Sequence, residues 1–133
     1  MTDEFTVGDS FEHTVEDVGR TDFVKYAGAS GDFNPIHYNE PHAKQAGYDS
    51  VFGQGMFTAG VASRSVREAL GLQYLDEYQT RFNAQVWPGD TLSTTVEITA
   101  VSETDEGTRV EADVTVINQD GEKVVTGSAV AFL

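Results

Sequence analysis

The sequence predicts an α+β fold in which an antiparallel sheet wraps one long central helix, and three observations carry that prediction. The stretch GQGMFTAGVASRSVREALG, residues 53–71, is bounded by glycines and is apolar or small nearly all round in its first three turns, the pattern of a helix buried on most sides. After Gly71 come four strand-like segments separated by turn formers: YQTRFNAQVW, TLSTTVEITAVSE, RVEADVTVIN and VVTGSAVAFL. The length, 133 residues, suits one domain over 1–133 with a single hydrophobic core.

Each element has its own local signal. Residues 1–19 hold short extended segments around a Gly8-Asp9 turn, with Phe5, Val7, Phe11 and Val15 as apolar anchors. Thr21 is placed as N-cap of a helix DFVKYAGAS, with Asp22 in its first turn, Phe23, Val24 and Ala27 on one side, and Gly28 and Gly31 at its end. A second short helix falls on EPHAKQAG, where Pro41 suits the first turn and Gly47 the stop. In the long helix, Gly60 costs about 1 kcal/mol relative to alanine, and close approach of another backbone is the expected reason for it. Along the strands, Leu92, Thr94, Val96, Ile98 and Ala100 share one face, as do Val110, Ala112, Val114 and Val116, while Glu97, Glu111 and Asp113 turn outward. The strand order is read as a meander, with one edge open to a second copy of the chain, hence a homodimer.

Charge narrows the function. There are 22 acidic and 8 basic residues, a formal net charge of −14, with the carboxylates scattered from Asp3 to Glu122. Nucleic-acid binding relies on clustered Lys and Arg, so nucleic acid is excluded as a partner. Scattered carboxylates between apolar residues read instead as a salt-adapted surface, since the Debye length shrinks to about 3 Å at 1 M salt. No run approaches the roughly 18 apolar residues of a membrane span. The acidic opening MTDEFTVGDS lacks a secretory pattern, so a cytoplasmic location is expected. Without cysteine there is no disulfide, thiolate nucleophile or cysteine metal site.

The densest chemistry lies in ASGDFNPIH, residues 29–37. Asp32 and His37 are five apart and cannot share a face of a regular helix, so pairing them needs a loop that doubles back. Pro35 fixes one φ, Asn34 before it is pushed to extended backbone, and Gly31 permits a tight approach, which makes this loop rigid. Two readings stay open on spacing alone: Asp32 caps the turn and His37 is a structural histidine, or the two are an acid/base pair. GQGMF then opens the long helix, where unpaired N–H groups can hold an anion or a developing oxyanion and two glycines let a ligand come close. Ser63, two turns on, reads first as a serine bonded back to its own helix. His37 and His42 lack carboxylates at metal-binding intervals, so no metal is expected.

Together the stretch YAGASGDFNPIHYNEPHAKQAGYDSVFGQGMFTAGVAS and the later VWPGDTL resemble the MaoC-like (R)-specific enoyl-CoA hydratases. The resemblance implies a hot-dog fold, a homodimer, an acyl-CoA thioester as substrate and no cofactor. It implies that Asp32 and His37 activate a water, that the Gly55 backbone N–H polarises the thioester carbonyl, and that Asn34 and Ser63 support the site. Gln54 stands where many members of that family have histidine, and with Arg64 and Arg67 it is a candidate substrate contact. Arg81 and Lys44 are further candidate partners for the coenzyme A phosphates. The motif fixes the reaction and not the acyl pocket, so a branched or dicarboxylic (mesaconyl-type) substrate stays open, as does a non-catalytic acyl-CoA-binding subunit.

Overall fold

The computed structural model describes residues 5–133, so the first four positions of the opening segment lie outside the described residues. The elements run β1 (Ser10–Val15), α1 (Arg20–Ser30), a 3-10 turn (Pro35–His37), α2 (Glu40–Gln45), α3 (Gly55–Leu70), a second 3-10 turn (Leu72–Tyr74), β2 (Leu75–Phe82), β3 (Leu92–Thr104), β4 (Gly107–Ile117) and β5 (Lys123–Phe132). All strand pairs are antiparallel and the sheet order is β1-β3-β4-β5-β2. This is the α+β, sheet-around-helix architecture of the hot-dog fold.

Helix α3 contacts all five strands. Its Ala59, Ala62, Val66 and Leu70 are buried, with Val96, Ile98, Val110, Ala112, Val114 and Val116 of the sheet also buried in the core. Fully burying each such Val or Ile contributes about 1.5–3 kcal/mol, so this contact dominates the fold. The helix is nevertheless wrapped on one side only. Met56, Gly60, Arg64 and Arg67 are exposed, and a Cβ added at Gly60 would meet nothing within 4 Å, so no other backbone among the described residues explains that glycine.

The expected meander holds for β3-β4-β5 but not for β2, which crosses to the far edge and pairs with β5. Gly127 permits the crossing: a Cβ there would overlap the carbonyl oxygen of Gln79 on β2. The inward row of β3 also ends early. A bulge between Ile98 and Ala100 sets Ala100 opposite Glu111 and Val101 opposite Val110, so Val101 takes the core face in place of Ala100.

Three local expectations are corrected. Helix α1 starts at Arg20 with Gly19 as N-cap rather than Thr21, because Asp22 Oδ2 accepts the Gly19 N–H at 2.9 Å. Gly28 stays inside the helix, and Gly31, at φ +79°, ends it. Phe23 and Ala27 are buried but Val24 is 54% exposed, and near the N-terminus Val7 and Phe11 are exposed while Phe5 and Val15 pack on the core. No helix among the described residues is long and apolar enough to cross a membrane.

Candidate active site

The loop from Gly31 to His37 is held by its own side chains. The Asp32 N–H donates to Ser30 Oγ at 3.1 Å, the Asn34 N–H to Asp32 Oδ1 at 3.2 Å and the Ile36 N–H to Asn34 Oδ1 at 3.1 Å. Asn34 thereby caps the 3-10 turn that Pro35 begins, and Tyr38 Oη donates to the Phe33 carbonyl at 2.9 Å from the other side. These bonds double the chain back and set His37 Nε2 3.9 Å from Asp32 Oδ2. One carboxylate oxygen of Asp32 therefore serves the turn, and the other faces the imidazole.

The two groups differ in environment. The His37 side chain is 11% exposed and that of Asp32 46% exposed. His37 Nδ1 lies 2.8 Å from the Phe52 carbonyl, an oxygen that can only accept, so Nδ1 carries the proton. In the neutral ring Nε2 is then the lone-pair nitrogen, and it is the one nearest Asp32. The ring stands edge-on to Phe52, with centroids 5.3 Å apart, and Phe52 leans in turn on Tyr48 and Trp87.

Phe52 leads directly into the start of α3. The Gly53 N–H donates to the Val86 carbonyl at 2.8 Å, which ties this strand-like entry to the VWPGD segment. That segment is fixed by Asp90, whose Oδ2 accepts the Trp87 N–H at 2.9 Å and whose Oδ1 accepts Gln119 Nε2 at 2.9 Å. Gly55 is the first residue of α3, and among the described residues no acceptor faces its N–H. A cavity of about 270 Å³ opens here, lined by Phe52, Gly53, Gly55, Phe82, Asn83 and Gln85. Sequence reasoning did not find Phe82, whose ring lies 3.1 Å from where a Gly55 Cβ would be. Its only signal is that RFNAQ breaks the strand alternation just where β2 ends.

Of the two glycines expected to admit a ligand, one has another task. A Cβ on Gly53 would sit 2.9 Å from the ring of Phe23, which is fully buried, so Gly53 makes room for the core. Gln54 is 1% exposed, and its Nε2 donates to the Phe23 carbonyl at 2.8 Å, so its side chain points into the protein and not toward a ligand. Ser63 Oγ donates to the Gly60 carbonyl at 2.7 Å, the back-bonded arrangement read first from sequence, and lies about 12 Å along the helix from Gly55.

The candidate cations are dispersed. Arg64 pairs with Glu68 at 3.1 Å, which holds that carboxyl below its ordinary range, and Arg67 is exposed one turn on. Lys44 lies on α2, whereas Arg81 and Lys123 share a groove on the outer face of the sheet.

A five-stranded antiparallel sheet folded over one helix, with a Asp–His loop beside the helix entry, defines a hot-dog-fold protein. The chain belongs to the MaoC-like domain family, whose model matches residues 4–120. Over 118 residues it is 29% identical to an (R)-specific enoyl-CoA hydratase of Aeromonas caviae, covering 86% of each chain. The solved (R)-hydratase from A. caviae involved in PHA biosynthesis superposes with a TM-score of 0.87 at 26% identity, covering 99% of both chains. A probable enoyl-CoA hydratase 2 of Dictyostelium discoideum is 36% identical over 74 residues, and the match covers 53% of this chain but 25% of that protein's length.

Proposed function

We propose that this chain is an enoyl-CoA hydratase that adds water across a trans-2-enoyl-CoA to give the (3R)-hydroxyacyl-CoA, reversibly and without metal or cofactor. The observation that carries the reading is the 3.9 Å gap between His37 Nε2 and Asp32 Oδ2, with Nδ1 already committed to Phe52. With the ring in its neutral form, both facing atoms are acceptors. A water has two protons to give, and hydrogen bonds of about 2.8 Å to each acceptor would meet at the water oxygen at roughly 90°, close to its natural angle. Such a water presents its lone pairs outward, as a nucleophile must.

The reaction follows from that arrangement. The water oxygen bonds to C3 of the enoyl group, the π electrons move through C2 to the thioester oxygen, and the Gly55 N–H stabilises the resulting enolate. The Asp32–His37 pair takes one proton from the water and a proton is returned to C2, so that atoms and charge balance. Asn34 supports the site by capping the turn that holds His37, and Arg64, Arg67, Arg81 and Lys44 are the cations available to the coenzyme A phosphates. The names of the relatives support the R stereochemistry.

A second copy would pair along the open edge of β2 and cover the exposed Met56, Gly60 and Phe82, so the active form in this reading is a homodimer. The test is hydration of a chain-length series of enoyl-CoA thioesters by the wild type, Asp32→Asn and His37→Ala, with product stereochemistry determined. Wild-type turnover in either variant sinks the assignment. Acyl-CoA binding without turnover by the wild type would favour a non-catalytic subunit.

A further inference from the structure

Gln54 is among the largest fully buried side chains of the molecule, yet nothing in the mechanism uses it. Its Nε2 bonds the Phe23 carbonyl, while its Oε1 is buried without any hydrogen-bond partner among the described residues. A methionine would fill the same space without an unsatisfied carbonyl, whose burial is costly. The amide is therefore retained for its donor. That donor acts between two helices: Phe23 belongs to α1, which runs on to Gly31 and Asp32, and Gln54 immediately precedes Gly55 of α3.

The same residue of α1 meets the entry of α3 at two more points. The Phe23 ring lies under Gly53 and stands edge-on to Phe57, with centroids 5.7 Å apart. Those contacts are apolar and allow sliding. The amide bond is directional and fixes the register. The Gln54 backbone carbonyl also accepts the Phe57 N–H at 3.1 Å and the Thr58 N–H at 3.4 Å, so the residue that reaches to α1 is the one on which the first turn of α3 is wound.

We infer that Gln54 is a positioning residue: its carboxamide ties the first turn of α3 to α1 and so holds the Gly55 N–H in fixed relation to the Asp32–His37 loop. The catalytic half of this inference rests on the hydratase reading of Gly55. The structural half does not.

The test compares Gln54→Met, Gln54→His and Gln54→Glu with the wild type, by steady-state hydration of crotonyl-CoA and by amide hydrogen exchange over residues 53–57. In Gln54→Met, kcat falls by about tenfold or more with KM within about twofold, since misplaced donors cost rate rather than binding, and exchange over the segment quickens. In Gln54→His an N–H donor is available again, and both readouts recover. In Gln54→Glu the donor exists only while the carboxyl is protonated, so activity relative to wild type declines as pH rises; this variant decides the matter if Gln54→Met does not fold. Wild-type kcat and exchange in Gln54→Met, or a loss that histidine does not restore, overturns the inference while leaving the hydratase reading intact. An inactive wild type whose exchange still quickens in Gln54→Met overturns the hydratase reading and leaves the tether standing.

Discussion

His37 donates its Nδ1–H to the carbonyl of Phe52 at 2.8 Å, and through that one bond the histidine loop is fastened to the segment that becomes the start of α3. The bond chooses the tautomer, and the tautomer decides what Asp32 faces. With the ring neutral, the carboxylate faces a lone pair, and a water between them can donate a proton to each.

Asp32→Asn separates the two tasks of that carboxylate. Asparagine can still accept the Asn34 N–H at Oδ1, so the turn survives and Tm stays within a few degrees of wild type. Its amide cannot take a proton, so kcat for crotonyl-CoA hydration drops by about 10²–10⁴-fold. Thermal melting and initial rates on the same preparation check both halves.

The two glycines flanking Gln54 respond oppositely to alanine. Gly53→Ala drives a methyl into the fully buried Phe23 ring and costs about 1–3 kcal/mol of stability. Gly55→Ala meets Phe82, which is 51% exposed and free to swing, so the fold is little affected while hydration slows by about tenfold as the donor is crowded. Denaturant melts and kinetics of the pair distinguish a core glycine from a site glycine.

Tyr78 sets an alkaline limit. Its hydroxyl donates to the Ala59 carbonyl of α3 at 2.8 Å, and burial pushes its pKa up to about 12 from 10.0. The folded state holds the proton more tightly than the unfolded chain, so this stability is fully present below pH 10 and is lost as pH rises from 10 toward 12. Allowing for the ring's partial exposure, the loss is roughly 1 kcal/mol. Tyr78→Phe should show a flatter decline over that window in urea melts at stepped pH.

Salt should stabilise the protein. A formal charge of −14 repels itself at low ionic strength, and screening relieves that repulsion. The expected result is a Tm that climbs by several degrees between 0.1 and 2 M KCl, measured by calorimetry. A flat or falling Tm would argue against a salt-adapted surface.

Much of this was legible in the residues, and the failures have physical reasons. The elements themselves follow from glycine boundaries, proline and two-residue alternation, as α2, α3, β3 and β4 show. Strand order is a different matter: nothing local in YQTRFNAQVW says that it will pair with β5 rather than β3, because pairing is decided by the sheet as a whole and by the missing side chain at Gly127. The inward row of β3 broke at a bulge, which adds a residue without changing composition. In the candidate site, Asp32, His37 and Gly55 stand out because their neighbours are unusual. Gln54 could not be placed, since a glutamine before a helix gives no sign of whether its amide faces solvent or, as here, the carbonyl of Phe23.

The crossing of β2 also bears on how the chain acquires its structure. Leu75 pairs with Ala131 and Phe82 with Val125, so β2 lies next to α3 in sequence but can enter the sheet only once β5 exists. Long-range pairing of this kind slows folding, because the loop must close before any contact rewards it. Until then the side of β2 that pairs with β5 is unprotected on a nascent or refolding chain. A chain interrupted before β5 would thus carry the Asp32–His37 loop and the entry of α3 with β2 still unpaired.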